Sequence, residues 1–230
     1  MVTVRLSLAD LCGAIIEDLA AYTGVSVDQA VQRLVKSQAQ KELADAWRKA
    51  NPQLPEEVDQ YYRSQDAYID DLTWFNAQPN YWLQNTKLLE VEGYVADFGG
   101  GIGSLAMALS SIDCRVAYID LPSPQRSFAE WRFQEHELPI SVHESLNELK
   151  DLDAIVSTDT IEHLHPDTLP AVAQQMWDAL KPNGQVRTIN KFGKNDTWPM
   201  HYDSEELFDK AMRDTGFTGG PVIWMKNGND

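Results

Sequence analysis

The chain has 230 residues, 43% of them hydrophobic, and a formal net charge of −16. That length suits one domain, or one domain with an appended segment, and the apolar content is ample for a core. An acidic chain without a Lys/Arg cluster lacks the basic stripe that grips phosphates, and no run of 18 apolar residues occurs, so neither nucleic acid nor a membrane is expected as a partner.

The first apolar patch, "LCGAIIEDLAAY" at 11–22, carries Glu17 and Asp18 and reads as an amphipathic helix and not a signal peptide. Cys12 and Cys114 stand far apart, which gives neither a disulfide framework nor zinc spacing and suits a reducing, cytoplasmic location. Ser26 precedes "VDQAVQRLV", whose apolar residues fall near helical spacing, and "NPQLPEE" then breaks the helix. A second helical stretch follows, crowded with Tyr61, Tyr62, Tyr68, Trp74, Phe75, Tyr81 and Trp82. Residues 1–90 show no convincing strand.

From Gly93 the rhythm changes. "GYVADF", "RVAYID", "PISVHES", "LDAIVSTD" and "QVRTINKF" read as strands, and the segments between them as helices or short crossovers. Such alternation argues for βαβ units and a parallel sheet. The late helix "DSEELFDKAMRDTGF" begins at Asp203 with Glu206 three residues on, a capping-box-like start. One strand, "PVIWMK", closes the chain. The expected fold is therefore α/β, with an N-terminal helical region (1–90) and an α/β domain (91–230).

The stretch "VADFGGGIGSLA" at 95–106 places an acid ahead of four glycines at the join of the first strand and first helix. Glycine in an element interior costs roughly 0.5–1 kcal/mol through backbone entropy, and the usual return is close approach of a ligand. Ligands of open α/β sheets lie beyond the carboxyl ends of the strands, where strand order reverses. The second strand ends in Asp120, 17 residues after Gly103, where a carboxylate can accept both hydroxyls of a ribose. Gly101 to Ala106 also satisfies G-x-G-x-x-A, so an NAD-dependent oxidoreductase is a second reading. Asp97 weighs against it: an acid at the mouth of the loop repels a pyrophosphate but suits a cofactor carrying an ammonium and a sulfonium.

At these residues the sequence resembles the class I S-adenosylmethionine-dependent methyltransferases, small-molecule branch. "VADFGGGIGSLA" looks like their first motif, "VAYIDLP" their second, "LDAIVSTDTIEHL" their fourth-strand motif with its Glu-His-Leu, and "LKPNGQV" the turn before the fifth strand. The resemblance covers about 93–217. It implies a Rossmann-like, mostly parallel doubly wound sheet, S-adenosylmethionine as cofactor, and methyl transfer to an O or N atom of a small-molecule acceptor. Carried over, it implies that Asp97, Gly99, Gly101 and Gly103 shape the methionyl site, Asp120 binds the ribose and Leu121 packs on adenine. Ser145, or its neighbour Glu144, would sit near the adenine amino group, and Thr158 and Asp159 would face the methionyl amine and the substrate mouth. His163 and His201 are the candidate bases. Trp74, Tyr81, Trp82 and Tyr202 are the candidate substrate contacts, the first three on a helical lid. Asp159 with Asn195 and Asp196 superficially resembles the ligand set of metal-dependent O-methyltransferases, but the intervening sequence does not, so no metal is expected.

One departure is expected to matter. The family closes its sheet with an antiparallel pair, whereas only 13 residues follow Phe217, so an edge strand is missing or a partner covers that edge. An uncovered edge is a liability, which favours a homo-oligomer. A cofactor-binding interaction subunit without catalysis is a third reading.

Overall fold

The computed structural model describes the backbone of residues 8–228 and the side chains of 13–228; Cys12 falls outside the described side chains. Six helices come first: α1 Leu8–Thr23, α2 Val27–Lys36, α3 Ala39–Ala50, α4 Pro55–Arg63, α5 Ala67–Asn76 and α6 Pro79–Gln84. Local chemistry sets their ends. Ser26 and Gln29 form a reciprocal capping box on α2, and Pro55 and Pro79 occupy first-turn positions where no amide donor is needed.

The remainder alternates strands with helices: β1 Tyr94–Phe98, α7 Ser104–Ser111, β2 Arg115–Ile119, α8 Pro124–Glu135, β3 Ser141–His143 and β4 Leu152–Thr158. Then come α9 Leu169–Ala179, β5 Leu180–Ile189, α10 Glu205–Thr215, β6 Thr218–Gly219 and β7 Ile223–Met225. The sheet order is β3-β2-β1-β4-β5-β7-β6, with parallel pairing from β3 through β5. This is the expected doubly wound α/β fold. β1 and β4 are central and covered on both faces, which explains their near-continuous apolar runs. The order reverses between β1 and β4, so the loops after β1, β2, β4 and β5 converge at one end of the sheet.

Two expectations are corrected here. The sheet does close with an antiparallel pair: β7 pairs with β5 and with β6. The pair is compressed, β6 to two residues and β7 to three, and the argument from an edge needing an oligomeric partner falls away. The late helix starts at Glu205 after Ser204, and Asp203 is not its cap.

The N-terminal helices share their core with the sheet domain. Ile15, Leu19, Ala30, Leu34, Ile69 and Trp82 pack with Ile102, Ala108 and Phe128. Leu43, Trp47, Val58, Tyr61 and Tyr68 pack with Met200. A buried polar tie adds direction: Arg132 donates from Nε to Asp18 Oδ2 at 2.7 Å and from Nη1 to the Ile102 carbonyl at 2.7 Å, while His136 Nε2 lies 2.7 Å from Asp18 Oδ1. Trp82 is 3% exposed and donates its indole N–H to the Asn76 carbonyl at 2.9 Å. It is core, not pocket, because six-residue α6 turns it inward to seal the junction of α5 and α6. Trp82→Ala should therefore lower stability by about 3–5 kcal/mol, the usual cost of a deleted core aromatic, and chemical denaturation will show it.

Asp71, on the buried face of α5, carries an unusual electrostatic load: burial pushes its carboxyl up to about 7. A folded-state value above the ordinary 3.8 means that the folded chain holds this proton more tightly than the unfolded chain. Its contribution to stability is greatest in acid and is lost as pH rises from about 4 to about 7. Asp71→Asn should stabilise the protein by about 2–4 kcal/mol at pH 8, and by much less at pH 5. Melting of both proteins across that range is the check; an equal shift at all pH values would show that the carboxyl is not the cause.

Candidate active site

The glycine loop is built stiff. The N–H groups of Gly99 and Gly100 donate to the Ile119 carbonyl at 2.9 and 3.2 Å, and that of Gly103 donates to the Gly100 carbonyl at 2.8 Å. Gly99, Gly101 and Gly103 have φ of 71°, 54° and 78°, the left-handed region that side chains disfavour. At Gly103 a Cβ would also meet the Phe133 ring at 2.6 Å, and at Gly99 the Thr160 side chain at 2.2 Å. These two glycines are thus demanded by packing of the loop on its neighbours. Gly101 differs: a Cβ there meets only Leu72 Cδ1, at 2.9 Å, on the helix that overlies the loop.

Two carboxylates flank the loop. Asp120 accepts the Gly101 N–H on Oδ2 and the Leu121 N–H on Oδ1, both at 2.7 Å. Burial pushes it up to about 6, against the lowering effect of those two donors and of Arg126. Asp97, at the end of β1, is 1% exposed, and its Oδ2 has no donor among the described residues. Burial pushes it up to about 7, the Ala106 N–H opposing and the charge of Asp120 adding. A buried carboxylate oxygen without a donor is costly unless a ligand supplies one. This pair of acceptors fits a cofactor that brings an ammonium group, and it does not fit a phosphate.

Beyond β2 and β3, Leu121 is half-buried, and the Ser145 hydroxyl accepts the Asn147 N–H as the cap of a short turn. Glu144 pairs with Arg63 at the end of α4, 2.7 Å away. At the end of β4, Thr158 donates to Asn85 Oδ1 at 2.9 Å, and Asp159 has a φ of 48° with its carboxylate 3.1 Å from Lys191 Nζ. Asn195 accepts the Thr197 and Trp198 N–H groups, so it serves a turn, and Asp196 is exposed.

The structure brings the two candidate histidines together. Glu162 and His163 share a single 3-10 turn after β4, while His201 follows β5; the Tyr202 N–H donates to the Glu162 carbonyl at 2.8 Å and joins the two segments. The rings of His163 and His201 meet edge to face with centroids 4.6 Å apart. Trp198 stacks on His201, and Tyr62 Oη lies 2.8 Å from His163 Nδ1. Burial pushes His163 down to about 3, with His201 and Lys191 adding, and it lowers His201 as well. Both imidazoles are therefore neutral near pH 7. Glu162 is fully buried; Oε1 accepts the Lys191 N–H at 2.8 Å and Oε2 has no donor among the described residues. Burial, with the charge of Asp159 next to it, pushes Glu162 up to about 7.

Over this group lies an aromatic layer that sequence reasoning assigned only in part. Tyr68, Leu72 and Phe75 fall on one face of α5: Tyr68 packs on Tyr62 and Tyr61, Leu72 lies over Gly101, and Phe75 packs on Trp198. Tyr202 joins through Trp47, and half-buried Tyr81 lies close enough to Asp97 and Asp159 for their charges to raise its hydroxyl further. Trp74 is 44% exposed on the opposite side of α5, away from this layer. The signal for the missed residues was the spacing 68, 72, 75, one helical face.

A doubly wound sheet of this order, with a glycine loop after its first strand and an acid closing its second, is similar to the fold of solved methyltransferases. Residues 96–186 match a family model described as a methyltransferase domain. Among solved structures, human N-acetylserotonin methyltransferase in complex with SAM is 16% identical with a TM-score of 0.60, the match covering 89% of this chain and 71% of that one. The S-adenosylmethionine-dependent methyltransferase SibL in its apo form is 16% identical with a TM-score of 0.54, covering 92% and 77%. The cyclopropane synthase MmaA2 from Mycobacterium tuberculosis is 20% identical with a TM-score of 0.52, covering 64% and 63%. No curated protein matches the sequence. The likeness to these structures shows the fold, and the methyltransferase-domain match falls on the segment that carries the glycine loop and the strands β1 to β5. No helix among the described residues is long and apolar enough to cross a membrane.

Proposed function

We propose that this enzyme transfers the methyl group of S-adenosylmethionine to an O or N atom of a small molecule held between the carboxyl end of the sheet and helices α4 and α5. The observation that carries this reading is the layer of half-buried Tyr62, His163 and Tyr202 and buried Tyr68 and His201 beside the end of β4. It pairs aromatic walls with neutral imidazoles, a setting for a flat or uncharged acceptor. In this reading Asp97, Gly99, Gly101 and Gly103 hold the methionyl part, and Asp120 and Leu121 hold the adenosine. Ser145 lies toward the adenine amino group, and Thr158 and Asp159 complete the methionyl side.

The bound cofactor supplies an electrophilic methyl group, so the protein's part is alignment, exclusion of water and removal of a proton where the acceptor carries one. His201 is the better base of the pair. The Tyr62 hydroxyl already engages the His163 ring at Nδ1, 2.8 Å away. Residues 1–90 act as a lid that serves the acceptor. They share their core with the sheet domain instead of holding one apart, and α5 presents its Tyr68, Leu72 and Phe75 face to the site.

Turnover of labelled S-adenosylmethionine against a panel of phenols, amines and carboxylic acids tests the reading. Once an acceptor is found, Phe75→Ala should raise its KM several-fold and leave S-adenosylhomocysteine affinity unchanged. No transfer to any member of the panel, with cofactor bound normally, would favour a cofactor-binding subunit without catalysis.

A further inference from the structure

Glu162, His163 and His201 stand out from the rest of the site because cofactor binding uses none of them. Each offers one ligand atom, and the three atoms lie within 4.8 Å of one another. The three side chains come from two segments fastened together by the Tyr202 N–H to Glu162 carbonyl bond, so their convergence is not a chance of one flexible loop. Two neutral imidazoles and a carboxylate form a mixed nitrogen and oxygen set that suits a divalent first-row transition ion better than magnesium or calcium.

A second, independent observation points to a ligand here. Glu162 is 0% exposed, and one of its oxygens meets no donor among the described residues. Asn190 Oδ1, just after β5, is also buried without a hydrogen-bond partner among the described residues, while Asp159 Oδ1, three residues before Glu162, meets Lys191 Nζ at 3.1 Å. Two unsatisfied acceptors and two imidazoles suit a cation. The Tyr62 hydroxyl, 2.8 Å from His163 Nδ1, fixes the rotation of that ring, as outer partners do for metal-bound histidines. Metal–ligand bonds of about 2.0–2.2 Å place two ligand atoms at most about 4.4 Å apart, so closing the set onto one ion takes only a small side-chain movement.

One group opposes the ion. Lys191 places its ammonium 3.1 Å from the Asp159 carboxylate, and that charge would repel a cation. The Lys191 side chain is more than half exposed and can turn to solvent, freeing Asp159 as a further oxygen ligand.

We propose that Glu162, His163 and His201 form a binding site for one divalent transition-metal ion, which holds the oxygen of the methyl acceptor. This rests on the methyl-transfer reading for the ion's use, but not for its binding. In that use the ion occupies the basic nitrogen of His201, so the acceptor hydroxyl gives its proton to solvent. Its oxygen then forms the new bond to the methyl carbon as the carbon–sulfur bond breaks, and the electron pair leaves on the thioether sulfur.

Chelator-treated full-length protein titrated with Co²⁺, followed by visible absorption and calorimetry with and without S-adenosylhomocysteine, tests the site. One equivalent should bind saturably. Glu162→Gln and His201→Asn should each weaken it about tenfold or more, and Tyr62→Phe by about 10–100-fold, with S-adenosylhomocysteine affinity and melting little changed. Lys191→Met should tighten it. No saturable Co²⁺ binding to the wild type, or binding indifferent to Glu162→Gln and His201→Asn, overturns the site. Binding as expected with no transfer to any acceptor would leave the site standing and defeat the methyl-transfer reading instead.

Discussion

Gly101→Val should reduce S-adenosylmethionine affinity by at least about a hundredfold, a loss near 3 kcal/mol, while the protein remains folded. The expectation comes from the difference between the glycines. A side chain at Gly99 or Gly103 strikes Thr160 or Phe133, both packed into the domain, so replacement there confounds binding with folding. At Gly101 the only obstacle is the end of Leu72, a flexible side chain on the overlying helix. The fold bears the cost of a β-branched residue at φ 54°, which is of order 1–2 kcal/mol, and the displacement of one methyl group. The isopropyl group then stands between the loop and α5, where the proposed reading puts the cofactor against the backbone. Calorimetry with S-adenosylhomocysteine, beside a thermal melt, separates the two effects. Retained affinity in a folded variant would mean that the cofactor does not approach Gly101.

How much of this was legible in the sequence depends on how local each signal is. The loop and its two acids were legible because strand, turn and helix are adjacent in the chain: Asp97 to Gly103 is one turn, and the acid of the second strand follows at a short distance. Of the final strand pair, β7 falls in the strand read from "PVIWMK", and β6 was missed because it is two residues long, too short for any alternation to register. Choosing among the aromatics failed for another reason. Trp74, Phe75, Tyr81 and Trp82 were all near the first strand, but the inward face depends on contacts made elsewhere: Phe75 with Trp198, and Trp82 with the Asn76 carbonyl. Nothing local separates buried Trp82 from exposed Trp74. The meeting of His163 with His201, 38 positions apart in sequence, likewise needed the β4 and β5 ends side by side.

The second large effect concerns charge. In the unliganded protein Asp120 is raised to about 6 and Asp97 to about 7, chiefly by burial. S-adenosylmethionine brings a sulfonium and an ammonium group, which favour both carboxylates in the charged form, so binding should release protons near neutrality and below it. Linkage then sets the sign: affinity should rise with pH from about 5 to about 8, and S-adenosylhomocysteine, without the sulfonium, should show the weaker dependence. Asp97→Asn should flatten the part of the profile near pH 7. Asp120→Ala should cost about 1.5–3 kcal/mol at pH 8, the scale of hydrogen bonds to a charged group. Because Asp120 also accepts the Gly101 N–H, part of that loss could come from a loosened loop. Asp120→Asn separates the causes: its amide oxygen can still accept that N–H, but it offers the ribose hydroxyls no charge. If the ribose pairing dominates, Asn should resemble Ala in affinity while keeping the wild-type melting temperature. Wild-type affinity for Asp120→Asn would instead assign the carboxylate to holding the loop.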